Sequence, residues 1–326
     1  SNRKGKEMTA FKYFQPTEII HGPGCLKEIV DLTRRYGKRC LLVTTSSSRG
    51  LQPRYARVKN LLTDAGIKVA HFDQIQPNPT TDNITAGAAM ARKHDAEVVI
   101  GMGGGSSMDS AKAIAVEATH EGTSWDYLYY KDTQPTEKTL PVIAISTTSG
   151  TASQVTQVAV VTNTKDRNKS AIYHPMIFPK ACLVDPELML TVPAHITAST
   201  GFDAFCHSFE STLHPNASRY TDMLAFRAIE LIVETLPNLL DDLSNLNYRA
   251  KMAFADTLAG LCIANAGVTL PHGAGMAISG MYPNVAHGEA LAIMYPACSR
   301  FTYESAVPQF STLGRILRPE LEKASD

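Results

Sequence analysis

Asp203 and His207 stand four residues apart in Gly201-Phe202-Asp203-Ala204-Phe205-Cys206-His207-Ser208-Phe209-Glu210. On a helix that spacing projects both side chains from one face, one turn apart. A carboxylate and an imidazole so placed make half of a divalent-metal site, and the other half must come from elsewhere in the chain. The candidates are His272, in Leu270-Pro271-His272-Gly273-Ala274-Gly275-Met276, and His287, in Val285-Ala286-His287-Gly288-Glu289-Ala290. One carboxylate with three imidazoles suits Fe(II) or Zn(II) better than Mg or Ca, which want nearly all oxygen ligands. Glu210 lies on the same helix face as Asp203 and reads as a supporting group rather than a fifth ligand. His21, His71, His94, His120, His174, His195 and His214 sit in no ligand spacing and read as surface or satisfied core residues.

A second stretch suits phosphate. Gly101-Met102-Gly103-Gly104-Gly105-Ser106-Ser107-Met108-Asp109-Ser110-Ala111-Lys112 follows a strand-like run and opens a helix-like one. Glycines let a backbone approach a pyrophosphate closely, and free amides at a helix start bind its oxygens. The run lacks the last glycine of a G-x-G-x-x-G fingerprint, and a tight strand-to-helix turn accounts for the same residues. Asp109, in the opening turn, favours the positive end of the helix dipole, which is reason enough for its presence there.

The elements that must position these groups change character along the chain. Residues 39–45, 68–72, 97–102, 141–146, 158–162 and 181–184 read as strands, and 53–65, 82–94 and 107–118 as helices, with Asp82 or Thr81 as a cap. Strands alternating with helices imply βαβ units and a largely parallel sheet. Past Asp185-Pro186 the strand signal nearly stops, and 196–213, 218–242, 246–265 and 286–304 read as helices, with Pro237 expected to interrupt or bend the second. The expected fold is an α/β, Rossmann-like dinucleotide-binding domain over 8–186 and an all-helical domain over 187–326. Residues before Met8 read as a short polar extension and are set aside. The lone Trp125 reads as a packing anchor at the domain surface.

Bulk properties narrow the partners. The 326 residues carry 31 Lys+Arg against 31 Asp+Glu, with no long block of like charge, so nucleic acid and anionic membrane are poor partners. No apolar run is long enough to span a bilayer, and the start of the sequence lacks a signal-peptide core. Six scattered cysteines without a C-x-x-C pair read as reduced, buried thiols of a cytoplasmic protein.

Taken together, the motifs resemble one family. GGGSSMDSAK is similar to the GGGSxxDxAK stretch of the iron-containing (group III) alcohol dehydrogenases. Ala144 to Thr156, AISTTSGTASQVT, resembles their TT-x-GT-x-S-E-V-T segment. Gly201–Glu210 resembles their GxDAxxHxxE helix, and the His272 and His287 segments their later histidine signatures. The resemblance runs from about Phe14 to residue 305. It implies a metal held by Asp203, His207, His272 and His287, in a cleft between the two domains. It also implies NADP or NAD bound by Gly104, Gly105 and Ser106 at the pyrophosphate and by Thr147, Thr148 and Thr151 beside the nicotinamide. Asn78, Lys169 and Asp109 match further positions near the cofactor. The implied activity is metal-assisted hydride transfer between nicotinamide and a small primary alcohol or aldehyde, in a homodimer.

The sequence departs from the family pattern in four places. Met276 stands where many members carry another histidine. Gln154 replaces the family's glutamate. Thr45, followed by Ser46, Ser47, Ser48 and Arg49, stands where many NAD-using members place an aspartate on the adenosine ribose. Hydroxyls and a guanidinium would accept a 2′-phosphate that a carboxylate repels, so NADPH is expected to be accepted. The family continues beyond the point where this sequence stops, so terminal helices are expected to be absent. Two enzymes of similar fold compete with this reading: a metal-independent reductase of the maleylacetate type, against which four ligand positions argue, and a dehydroquinate-synthase-like lyase, which would want a basic substrate cluster. A catalytically silent assembly subunit would have no use for intact metal and cofactor motifs.

Overall fold

A computed structural model describes residues 10–46, 51–282 and 284–321. The first part of the chain forms β1 (Glu18–His21), α1 (Ile29–Arg34), β2 (Arg39–Thr45), α2 (Gln52–Asp64), β3 (Lys68–Ile75), α3 (Thr81–Lys93), β4 (Val98–Gly103), α4 (Gly105–Glu117) and β5 (Val142–Ser146). It continues through β6 (Val158–Asn163), β7 (Asn168–Tyr173) and β8 (Ala181–Val184). Six of these strands pair in parallel in the order β1-β8-β5-β4-β2-β3.

Burial explains the strand sequences. Parallel strands covered on both faces read as continuous apolar runs, and β4, Val-Val-Ile-Gly-Met-Gly, is buried at every position. Alternate side chains point to opposite faces. Leu41, Val43 and Val99 join α3 and α4 on one side, whereas Cys40, Leu42, Val98 and Ile100 join α1 and α2 on the other. The sheet order reverses between β2 and β4, and in open sheets of this kind ligands bind outside the carboxyl ends of the strands at such a reversal. Thr45 closes β2 there, and the glycine-rich turn leaves β4 beside it.

The strand expected over 158–162 does not join the sheet. It pairs antiparallel with β7, which carries no strand expectation above, and the hairpin lies over α4. Helix α4 is consequently covered on both sides, and Ser107 through Glu117 are all buried. It also starts earlier than Ser107, at Gly105, because the glycine turn itself supplies the first helical residues. Helix α3 is capped by Thr80 rather than Thr81 or Asp82: Thr80 takes the extended conformation a cap needs, and its hydroxyl accepts the Asn83 amide.

After Asp185 the chain is helical: α5 (Ala194–Leu213), α6 (Arg219–Asp241), α7 (Leu246–Asn265), α8 (Leu270–Met281), α9 (His287–Thr302) and α10 (Val307–Leu317). Helix α6 runs through Pro237 without interruption, since Thr235 and Leu239 on either side are buried and their packing outweighs one missing amide bond. Helices α8 and α10 went unpredicted; α8 is short and glycine-rich, so its period is hard to read. A small cluster joins the two regions, with Met108 and Ala144 packed beside Ala253 of α7. Trp125 is half-buried against the sheet core, as expected, and all six cysteines are buried free thiols. No single helix among the described residues is long and apolar enough to cross a membrane.

Inside this sandwich, α4 carries a buried ion pair. Lys112 Nζ donates to Ser153 Oγ at 2.9 Å and to the Val158 carbonyl at 2.7 Å, and lies 3.9 Å from Asp109 Oδ1. Asp109 in turn accepts from the Ser153 hydroxyl and the Val160 amide. Burial lowers the Lys112 ammonium to about 8, with Asp109 acting in the opposite direction. Removing one partner of such a pair leaves an uncompensated charge. Lys112→Ala should therefore cost about 3–5 kcal/mol, read as a lower urea midpoint at unchanged slope.

Candidate active site

Helix α5 places Asp203 and His207 on one buried face, and the start of α8 and the start of α9 bring His272 and His287 to it. The three imidazole Nε2 atoms converge on one oxygen. From Asp203 Oδ1 the distances are 3.5 Å to His207, 3.4 Å to His272 and 3.9 Å to His287. The ligand atoms of Asp203, His207 and His272 lie within 4.8 Å of one another.

The other ring nitrogens fix which way the lone pairs point. His207 Nδ1 lies 3.0 Å from the Gly150 carbonyl, which can only accept, so the proton sits on Nδ1 and Nε2 faces Asp203. His272 Nδ1 donates to Glu210 Oε1 at 2.7 Å, and the other Glu210 oxygen accepts the Thr269 amide. Glu210 is fully buried and supports His272 rather than joining the cluster, the role its place on the helix suggested. Asp203 Oδ1 and His272 Nε2 are nevertheless buried without a hydrogen-bond partner.

A carboxylate oxygen ringed by imidazole lone pairs is unfavourable unless a cation joins them. The residues present therefore fit a divalent ion. Burial would raise the Asp203 carboxyl, yet the surrounding imidazoles of His207, His272 and His287 hold it well below the usual carboxylate range. Burial acts to lower His272, but the Glu210 and Asp203 carboxylates on either side raise it to about 9. A cation bound by the four side chains would compete with that proton. Burial, helped by the nearby charges of His272, Lys169 and His207, takes His287 down to about 3, against the pull of Asp203. The cluster opens on one side only: the His287 side chain is 27% exposed, against 8% or less for the other three.

The glycine-rich turn lies at the reversal in the sheet. Gly104 caps α4 with no side-chain hydrogen bond, leaving the amides of the first turn without a side-chain partner. The glycines there also answer to the threonines facing them. A Cβ on Gly105 would fall 2.9 Å from Thr151 Cγ2, and one on Gly104 would fall 3.2 Å from Thr148 Oγ1. Thr147 ties the two turns together through its amide, which donates to the Gly103 carbonyl. Lys169, on β7, donates to Asn78 Oδ1 at 2.9 Å, so two residues 91 apart in sequence form one wall. Thr45 Oγ1 is bonded to the Tyr55 hydroxyl at 2.9 Å. Ser46 follows it, while Ser47, Ser48 and Arg49 lie outside the described residues. Asp109 differs from the rest, because both its oxygens are engaged by Ser153 and Val160.

Residues 16–186 match the family described as iron-containing alcohol dehydrogenase, and residues 197–326 match the C-terminal family of Fe-containing alcohol dehydrogenases. The chain belongs to the iron-containing alcohol dehydrogenase family. It is 33% identical to a 1,3-propanediol dehydrogenase of Klebsiella pneumoniae over 94% of this chain and 79% of that one. It is 34% identical to a choline dehydrogenase of Bacillus subtilis, over 99% and 80%. A crystal structure of an archaeal halo-thermophilic alcohol dehydrogenase from a Red Sea brine pool superposes with a TM-score of 0.91 at 36% identity, covering 94% of this chain and 79% of the other. These relatives support alcohol dehydrogenase activity.

Within the family pattern, two departures now have surroundings. Met276 sits one turn beyond His272 on α8, half-buried, so the face that carries His272 continues as a thioether. Gln154 is fully buried, and its Nε2 donates to Asp256 Oδ2 at 2.8 Å. Asp256 and the Gly150 carbonyl both escaped sequence reasoning. A backbone carbonyl leaves no trace in side-chain patterns, but a lone carboxylate in the apolar run Met252–Ala264 was a readable signal of an internal partner. The seven histidines expected to be ordinary stay outside the cluster; His71, for instance, bonds the Thr44 hydroxyl and His94 the Lys68 carbonyl. Because Glu210 orients His272, Glu210→Gln should weaken Zn(II) binding about 10–100-fold, measured by competition with a chromophoric chelator.

Proposed function

We propose that the chain is a metal-dependent, NAD(P)-linked alcohol dehydrogenase or aldehyde reductase, catalysing hydride transfer between nicotinamide and a small primary alcohol or its aldehyde. The observation that carries this reading is the convergence of three imidazole Nε2 atoms on the orphaned Asp203 Oδ1. Asp203, His207, His272 and His287 would hold one Fe(II) or Zn(II) ion, whose chemistry when bound is Lewis-acid polarisation of the substrate oxygen.

The remaining tasks fall to the chain's own groups. The Gly150 carbonyl and the Glu210 carboxylate hold the Nδ1 protons of His207 and His272, which keeps each ring in the ligating tautomer. Gly104, Gly105 and Ser106 bind the pyrophosphate through amides at the start of α4. Thr147, Thr148 and Thr151 line the nicotinamide side, with Lys169 and Asn78 opposite. The exposed flank of His287 is the entry for substrate, and the burial of the other three donors keeps water from the cluster's back. In this reading residues 8–186 bind the dinucleotide, residues 187–326 carry the metal, and the working unit is a cytoplasmic homodimer.

The coenzyme follows from the end of β2. Thr45, its hydroxyl bonded to Tyr55, and Ser46 stand at the sheet reversal, and the sequence places no carboxylate from there through Arg49. We therefore read NADPH as accepted. Comparing kcat/KM for NADPH and NADH with short aldehydes should show NADPH turned over at least as well; a large NADH preference would refute this. His272→Ala should abolish both turnover and metal retention while NADPH still binds. Full activity in that variant, or activity indifferent to a chelator, would favour a metal-independent reductase instead.

A further inference from the structure

The turn from Thr147 to Thr156 touches both halves of the site. Its Gly150 carbonyl orients His207, and its backbone presses against the metal helix, where a Cβ on Gly150 would fall 2.4 Å from the Thr200 carbonyl oxygen. Its Thr148 and Thr151 side chains pack on Gly104 and Gly105, and its Ser153 hydroxyl binds Asp109. Asp109 and Lys112 hold its Ser153 end, and a residue of the helical region fastens its middle. Asp256 of α7 is 1% exposed; its Oδ1 accepts the Ala152 amide at 3.0 Å, and its Oδ2 accepts Gln154 Nε2 at 2.8 Å.

Two features show that this fastening is tight. Ala152 is held at φ 53°, the left-handed region a non-glycine residue avoids. One turn along α7, a Cβ on Gly260 would fall 2.4 Å from Val155 Cγ2 and 2.7 Å from Ala152 Cβ, so the turn lies directly on the helix. Among the described residues Asp256 has no ion-pair partner, although burying an unpaired carboxylate is costly. Both of its oxygens are spent on this turn.

We propose that Asp256 is a positioning residue: through Ala152 and Gln154 it sets the one turn that orients His207 and packs on the dinucleotide loop, and thereby couples metal binding to dinucleotide binding. The inference rests on the metal reading above. Coupling of this kind is a difference in binding free energy that each ligand exerts on the other.

The test uses Co(II), followed by its visible absorption, and NADPH, followed by fluorescence, on the full chain. Asp256→Ala should weaken Co(II) binding by about tenfold or more, and NADPH binding with it. Because that variant leaves the Ala152 amide unpaired and can fail to fold, an isosteric pair provides the second arm. Gln154→Glu sets two carboxylates face to face, whereas Gln154→Glu with Asp256→Asn restores the bond with donor and acceptor exchanged. The single variant should lose about tenfold in Co(II) affinity, change the Co(II) spectrum and lose the mutual tightening of Co(II) and NADPH. The double variant should return to within about threefold of the parent in all three, as expected of directly coupled residues. If Gln154→Glu lowers only the thermal midpoint, or if the double variant fails to recover, Asp256 is merely structural and the proposal falls. If the parent itself binds no Co(II), the metal reading fails first and takes this inference with it.

Discussion

A carboxylate oxygen stripped of water and surrounded by imidazole nitrogens is the constraint on which the rest of this structure depends. Asp203 Oδ1 is buried without a hydrogen-bond partner, yet three helices converge to bring His207, His272 and His287 around it. Hydrophobic packing alone would not assemble such a group, because each of these side chains loses hydration on burial. The surrounding bonds show how the arrangement is held: a carbonyl behind His207 and a buried carboxylate behind His272 take the Nδ1 protons and aim the opposite nitrogens inward.

The same economy runs through the glycine-rich turn. Gly104 and Gly105 leave room for Thr148 and Thr151, which would otherwise collide with a Cβ. A single turn thus reaches the glycine loop, the buried Asp109–Lys112 pair and helix α5. Its position is settled by buried polar bonds together with the close packing of Ala152 and Val155 on α7, which makes it sensitive to any change that leaves a donor or acceptor unmatched. The substitution of glutamine at 154 is an example: with Asp256 opposite, an amide can donate where a second carboxylate would repel.

Much of this was legible in the sequence because it depends on local periodicity. Asp203 and His207 share a helix face by spacing alone, and the apolar runs at 39–45, 141–146 and 181–184 announce buried parallel strands. The features that were missed have non-local causes. The strand at β6 shows the expected run, but whether it joins the sheet or folds over α4 depends on what else covers that helix. Lys169 and Asn78 meet only because β7 turns back on β6, and the short, glycine-rich α8 takes its helical form where it packs beside α9 and β7.

By itself the sequence determined the kinds of donor, the alternation of strand and helix, and the switch to an all-helical region after Asp185, since each follows from residue type and from spacing within one element. Only the tertiary structure decided that the three imidazoles point at the same oxygen, that Glu210 stands behind His272, and that Asp109 is spent inside the protein while Gly104 and Gly105 pack against Thr148 and Thr151. Those outcomes depend on distances between elements far apart in the chain, and such distances are set by how whole helices and strands pack, which no local pattern encodes.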